Sequence, residues 1–187
     1  MSQLSHTMRY ALILDIIKKL RAKGSWCGET HIQKAVFILQ QMAKSKIGYK
    51  FVLYKHGPYS FDLRDELTAM KASNIVEFTF PQGGYGPSIK FTRFGERIYD
   101  VNKDEIAKYS KISDFVANWF GSKDVRYLER VSTAFYISIK HYREPIINRA
   151  QRLTMLKPHV ELSEAEEAVR VVDQKREEAK AIQKEAA

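Results

Sequence analysis

Residues 75–80 and 89–92 are runs of alternating apolar and polar side chains, and between them lie Pro81, Gln82, Gly83, Gly84, Tyr85, Gly86 and Pro87. Two period-two runs joined by a Gly/Pro-rich connection specify a β-hairpin with a long loop. In this chain the hairpin is surrounded by segments that repeat at helical spacing, so the architecture must place a small antiparallel sheet among helices.

Upstream, Tyr10, Ile13, Leu14, Ile17 and Leu20 recur at three- and four-residue intervals within 8–23, with Lys18, Lys19 and Arg21 off that stripe. This predicts an amphipathic helix stopped by Gly24. A second helix follows Glu29 and Thr30, with Thr30 as its cap and Ile32, Ala35, Val36, Leu39 and Met42 on one face. Residues 49–54 are dense in aromatic and β-branched side chains and read as a short strand that His56, Gly57 and Pro58 end as a turn. Ser60 caps a third helix through about Ala72, whose first turns carry Asp62, Asp65 and Glu66, where negative charge suits the helix dipole.

Beyond Thr92 the chain reads as helical over 93–101, 103–120 and 124–141. Lys157, Pro158 and His159 break it, and Ser163 with Glu166 forms a capping box for a last helix that frays beyond about Arg176. Helix, helix, strand, helix and hairpin is the element order of a winged helix, the helix-turn-helix variant whose hairpin is the wing. The expected fold class is α+β and mostly helical. A winged-helix-like unit spans 1–100, with a helical subdomain over 101–187 packed on it, the two making one structural domain.

At 187 residues and 44% hydrophobic composition the chain can bury a real core. No stretch approaches the roughly 20 apolar residues of a membrane span, and residues 1–6 lack the pattern of a signal peptide, which points to the cytosol. Cys27 is the single cysteine, which excludes an internal disulfide and a multi-cysteine zinc site; it reads as a small buried side chain rather than a reactive thiol. Net charge is +9, and residues 1–59 hold ten Lys/Arg against Asp15 and Glu29. A basic third suits a polyanion or an acidic partner, and equally the solvated faces of two helices.

The five histidines, His6, His31, His56, His141 and His159, are scattered without metal-ligand spacing. Gly83, Gly84 and Gly86 connect two strands and precede no helix, so they form a wing tip rather than a phosphate cradle. Asp62 and Asp65 sit where helix N-termini ordinarily carry acids, so with Glu29 and Glu66 they do not read as a catalytic cluster. Neither a catalytic residue, a metal site, a cofactor nor a small-molecule substrate is expected.

The third helix also argues against conventional DNA reading, because its leading residues, Phe61, Asp62, Leu63, Arg64, Asp65 and Glu66, would set three carboxylates against the duplex. Nucleic acid would instead meet Lys18, Lys19, Arg21 and Lys23, the turn at Lys44 and Lys46, and Lys90 and Arg93 near the wing.

The stretch from Thr30 through Gln33, Lys34 and Phe37 to Leu39, followed by Tyr54, Lys55, His56, Gly57, Pro58, Tyr59, Ser60, Phe61, Asp62 and Leu63, resembles the paired "QK…F" and "YGPYS…L" signatures of the Panacea-type (SocA-like) antitoxin domain and its YwgA-like bacterial relatives. Residues 128–134 and 156–159 are similar to the C-terminal half of that group, so the resemblance spans most of 8–172. It implies a winged-helix-like, non-enzymatic domain, often encoded beside a toxin and neutralising it by direct contact, in some cases by adapting it to a protease. The family has no agreed catalytic residues. Its Gly-Pro turn maps onto Gly57 and Pro58, and His56 stands where relatives often carry another residue.

The expected function is therefore binding of a protein partner, a toxin or a phage-defence component, through His56, Tyr59, Phe61, Arg64 and Tyr85. The alternative is a transcriptional regulator that binds nucleic acid through the basic N-terminal face.

Overall fold

The computed structural model describes residues 4–43, 47–80 and 86–184. Lys44 and Lys46, proposed for nucleic acid, and Tyr85, proposed for a protein partner, lie outside the described residues. The protein is mostly helical, with two small two-stranded antiparallel sheets.

Helix α1, His6–Ala22, is capped by Ser5 Oγ, which accepts from the Met8 amide, and α2 is Glu29–Met42. Both were expected to be one-sided, and both are enclosed. Every residue from Ala11 to Ile17 is buried, as is every residue from His31 to Leu39. Burial at consecutive positions places a helix inside a fold, and here α1 packs on α2 and on two later helices. The polar residues this draws inward, Asp15, His31, Gln33 and Lys34, all have partners, as buried polar groups require. Gly28, not Thr30, occupies the N-cap of α2, so Thr30 already lies in its first turn.

The segment expected as one strand is a hairpin of two. Strand β1, Val52–Tyr54, pairs with β2, Gly57–Tyr59, in the register Val52 to Tyr59, Leu53 to Pro58 and Tyr54 to Gly57. Gly57 and Pro58 therefore do not end the sheet. Proline is tolerated because a two-stranded ribbon leaves one side of each strand unpaired. Ser60 caps α3, Phe61–Ala72, its hydroxyl accepting from the Leu63 amide.

Strands β3, Val76–Thr79, and β4, Ser88–Phe91, form the second hairpin, with Glu77 opposite Lys90 in an ion pair of 3.0 Å. Thr92 caps α4, Arg93–Ile106, which runs past the expected break near Asn102 and ends in a single 3₁₀ turn, Ala107–Tyr109. Helices α5, Ser110–Phe120, and α6, Val125–His141, follow, α6 capped by Asp124. Helix α7, Ile146–Leu156, lies where no helix was expected.

Helix α8, Leu162–Lys184, begins before Ser163, which overturns the capping box. Beyond Arg176 it continues to Lys184, with Ala179 buried, Ile182 packed on the core and Gln183 donating to the Met42 carbonyl. One continuous apolar core joins α1 and α2 to α5, α6 and α8. Among the described residues no helix is long and apolar enough to cross a membrane.

Candidate functional site

The first hairpin is held from beneath by side chains of three separate helices. On α2, Gln33 makes a reciprocal pair with Ser60, donating to its carbonyl and accepting from its amide, each at 2.9 Å. The neighbouring Lys34 donates from Nζ to the Pro58 carbonyl at 2.8 Å. Lys157, just after α7, donates to the carbonyls of Tyr54, at 3.3 Å, and Lys55. The same ammonium stands 2.8 Å from Glu129 Oε1 on α6. Above Glu129, the exposed His56 and His159 imidazoles lie 3.5 and 3.9 Å from its oxygens.

Burial dominates the electrostatics of this cluster. It pushes the Lys34 ammonium down to about 8, against the pull of Glu129 and Glu29. Burial also works to raise the Glu129 carboxyl, but the hydrogen bond and charge of Lys157, aided by His56, leave it below the usual carboxylate range. Gly57 fits here because its φ is +87° and because a Cβ would stand 2.9 Å from Thr133 Oγ1 and 3.1 Å from Ser132 Oγ.

On the outer side the hairpin carries an aromatic cluster. The rings of Tyr54, Tyr59 and Phe61 are mutually in contact, with centroids 5.2 to 5.7 Å apart. Tyr54 is 49% and Phe61 43% exposed. Tyr59 Oη donates to Glu29 Oε1 at 2.7 Å, and burial with that bond pushes its phenol up to about 12. The Arg64 guanidinium lies over the Phe61 ring at 5.3 Å and pairs with Asp65 at 2.9 Å.

Of the residues proposed for a protein partner, His56, Tyr59, Phe61 and Arg64 thus share one corner of the molecule. Tyr54 belongs with them and was missed, although the alternation of β1 places Val52 and Tyr54 together on its exposed side. The buried Lys34, Glu129 and Lys157 fall within the segments that carry the resemblance but not among the expected site residues, because lysine and glutamate ordinarily read as surface residues.

The residues proposed for nucleic acid do not form one free basic face. Lys19 is turned inward: its Nζ lies 3.1 Å from both Asp15 and Asp114 and donates to Ser113 Oγ at 2.7 Å. Arg21 donates to Ser88 Oγ, Lys90 is paired with Glu77, and Lys18 lies over the Tyr99 ring. Lys23 and Arg93 are exposed.

The fold and this corner together describe a mostly helical α+β protein that presents a braced aromatic surface. No family model matches the chain. No curated protein matches it either.

Proposed function

We propose that this protein acts in the cytosol as a non-enzymatic binding factor that engages a protein partner through the aromatic corner of the first hairpin. The reading rests chiefly on the contact among Tyr54, Tyr59 and Phe61, two of them nearly half exposed. Solvent-exposed aromatics in mutual contact, edged by an arginine, have the composition of interface anchors. The lysines and Gln33 beneath them fix the backbone that carries the rings, so little ordering remains to oppose association.

The family resemblance bears on the same place. Its "QK" signature, Gln33 and Lys34, hydrogen-bonds its "GPYS" signature at Pro58 and Ser60, and Glu129 and Lys157 of its C-terminal segments close the network. In that light we read α1, α2, α3 and the β3–β4 hairpin as a winged-helix-like unit with β3–β4 as wing, and the partner as a toxin or a phage-defence component that the protein neutralises. Binding of nucleic acid through Lys18, Arg21, Lys23 and Arg93 is the alternative; it loses Lys19, turned inward between Asp15 and Asp114, and finds Lys90 paired with Glu77 at the surface.

The test is affinity capture of the tagged wild type and of Tyr54→Ser/Phe61→Ser from the native host, with and without nuclease. A protein partner recovered stoichiometrically by the wild type, resistant to nuclease and lost with the variant, is the expected result. Nucleic acid recovered alone, or a partner held equally by the variant, would overturn the reading.

A further inference from the structure

Residues 140–157 carry Lys140, Arg143, Arg149, Arg152 and Lys157 against Glu144 alone. Two of these cations are spent inside the fold, Arg149 on Asp173 at 2.6 Å and Lys157 on Glu129. Glu144, the one local acid, is taken up by His141 at 2.7 Å and Arg152 at 2.9 Å. The solvent side therefore keeps a positive excess around Lys140 and Arg143.

This excess borders a cleft of about 280 Å³ between α6 and α7, lined by Tyr136, Ile137, Lys140, Arg152, Met155 and Leu156. Met155 is 79% exposed and Leu156 49%, both at the end of α7, where core packing would ordinarily claim such side chains. Methionine is unbranched and adapts to varied apolar shapes, which suits a recognition groove. The end of α7 is also tied to the first hairpin, because Lys157, next to Leu156, holds the carbonyls of Tyr54 and Lys55.

We propose that this cleft seats an acidic amphipathic helix belonging to the protein partner, with apolar anchors on Met155 and Leu156 and carboxylates toward Lys140 and Arg143. The inference rests on the reading that the chain binds a protein, and it adds the chemistry of the segment bound. A groove between two helices accepts a third through side chains at i, i+3 or i+4 and i+7. The lining residues run from 136 to 141 on α6 and from 152 to 156 on α7, about 6–8 Å at 1.5 Å per residue, which fits two anchors one helical turn apart. A nucleic-acid duplex would bring the charge but keeps its bases stacked inside, with little to place on an apolar floor.

The probe is a fluorescein-labelled synthetic helix of about 18 residues, with leucines at those spacings and glutamates elsewhere, titrated against the full chain by anisotropy. Saturable binding is expected, weakened by about tenfold or more in Met155→Glu and in Lys140→Glu, and lost when the peptide's glutamates become lysines. Both side chains are exposed, so the variants should melt with the wild type, and Lys140→Met should fall between the two extremes.

Three results would overturn the proposal: no binding to the wild type, equal binding of a composition-matched scramble, or a wild type that elutes as a dimer and becomes monomeric in Met155→Glu. The last would assign the cleft to a second copy of this chain. Since the partner-capture experiment reads Tyr54 and Phe61, failure of the peptide leaves the hairpin reading standing, and failure there leaves the peptide result interpretable.

Discussion

Lys157 and Glu129 meet at 2.8 Å in a nearly sealed setting, and the same ammonium ties the turn of the first hairpin to the end of α7. The pair therefore acts as a bracket between two distant stretches of chain, and its two ends are not equivalent. The lysine also serves backbone carbonyls, whereas the glutamate's remaining charged neighbours are the buried Lys34 and two exposed histidines.

Breaking this pair from one side leaves a buried charge without its counterion. Lys157→Met should destabilise the protein by roughly 3–5 kcal/mol in urea unfolding, whereas Lys157→Met/Glu129→Gln should recover a good part of that loss. In the wild type the Glu129 carboxyl is depressed, so its contribution is fully present above the unfolded value of 4.5 and is lost as pH falls through the folded value. The stability gap between the wild type and Lys157→Met should accordingly narrow as pH falls through that value, because the variant has already lost the acid-labile contribution.

Lys34 gives the opposite sign. Its ammonium is pushed down to about 8 from 10.5, so between those values the unfolded chain binds more protons and stability from this group rises with pH. Tyrosines and Cys27 are shifted upward and work the other way in alkali, so the comparison must be differential. From pH 8 to 9.5 the wild type should gain about 1–2 kcal/mol relative to Lys34→Met. A constant difference across that range would mean that the Pro58 carbonyl holds Lys34 charged at no cost.

Local chemistry was legible where one residue decides an outcome. Ser60 caps α3, and the alternation on either side of the Gly/Pro loop gives β3 and β4. Elsewhere tertiary structure overrides local signals. Pro58 looked like the end of a strand but pairs opposite Leu53, and α7 escaped notice because its exposed Met155 and Leu156 blur the stripe marked by Ala150 and Leu153. The aromatic corner was half visible, since Tyr59 and Phe61 flank a turn, but its support by Lys34, Glu129 and Lys157 depends on residues about a hundred positions apart. Such convergence is invisible to spacing arguments.

Gly57 lies where the bracket is tightest. With φ at +87° and Thr133 Oγ1 2.9 Å from a Cβ position, Gly57→Ala combines left-handed strain with a collision. A loss of roughly 1–3 kcal/mol is expected in thermal unfolding. Partner binding should fall further than stability alone explains, because the displaced strand carries Tyr59.

The lysines of α1 offer a test that separates internal from external charge. Lys19 bridges Asp15, itself almost fully buried, to Asp114 and Ser113, while Lys18 and Lys23 are exposed. Lys19→Met should cost roughly 2–4 kcal/mol by stranding the Asp15 carboxylate between Ser113 and Tyr99. Lys23→Met should change stability by no more than about 0.5 kcal/mol, as surface substitutions usually do.

The end of α8 carries the final prediction. Removing residues 177–187 deletes the buried Ala179, the Ile182 contact with the core, the Lys180 ammonium over the Tyr142 ring at 5.5 Å, and the Gln183 bond to Met42. Their joint loss should cost roughly 1–3 kcal/mol, small for so long a segment because most of its surface is solvated. Native-state hydrogen exchange provides the sharper reading. If this turn of α8 is docked, the amides of residues 179–183 should exchange well below the rate of an isolated helix end; exchange at the free-peptide rate would mean that the helix ends, in effect, near Arg176.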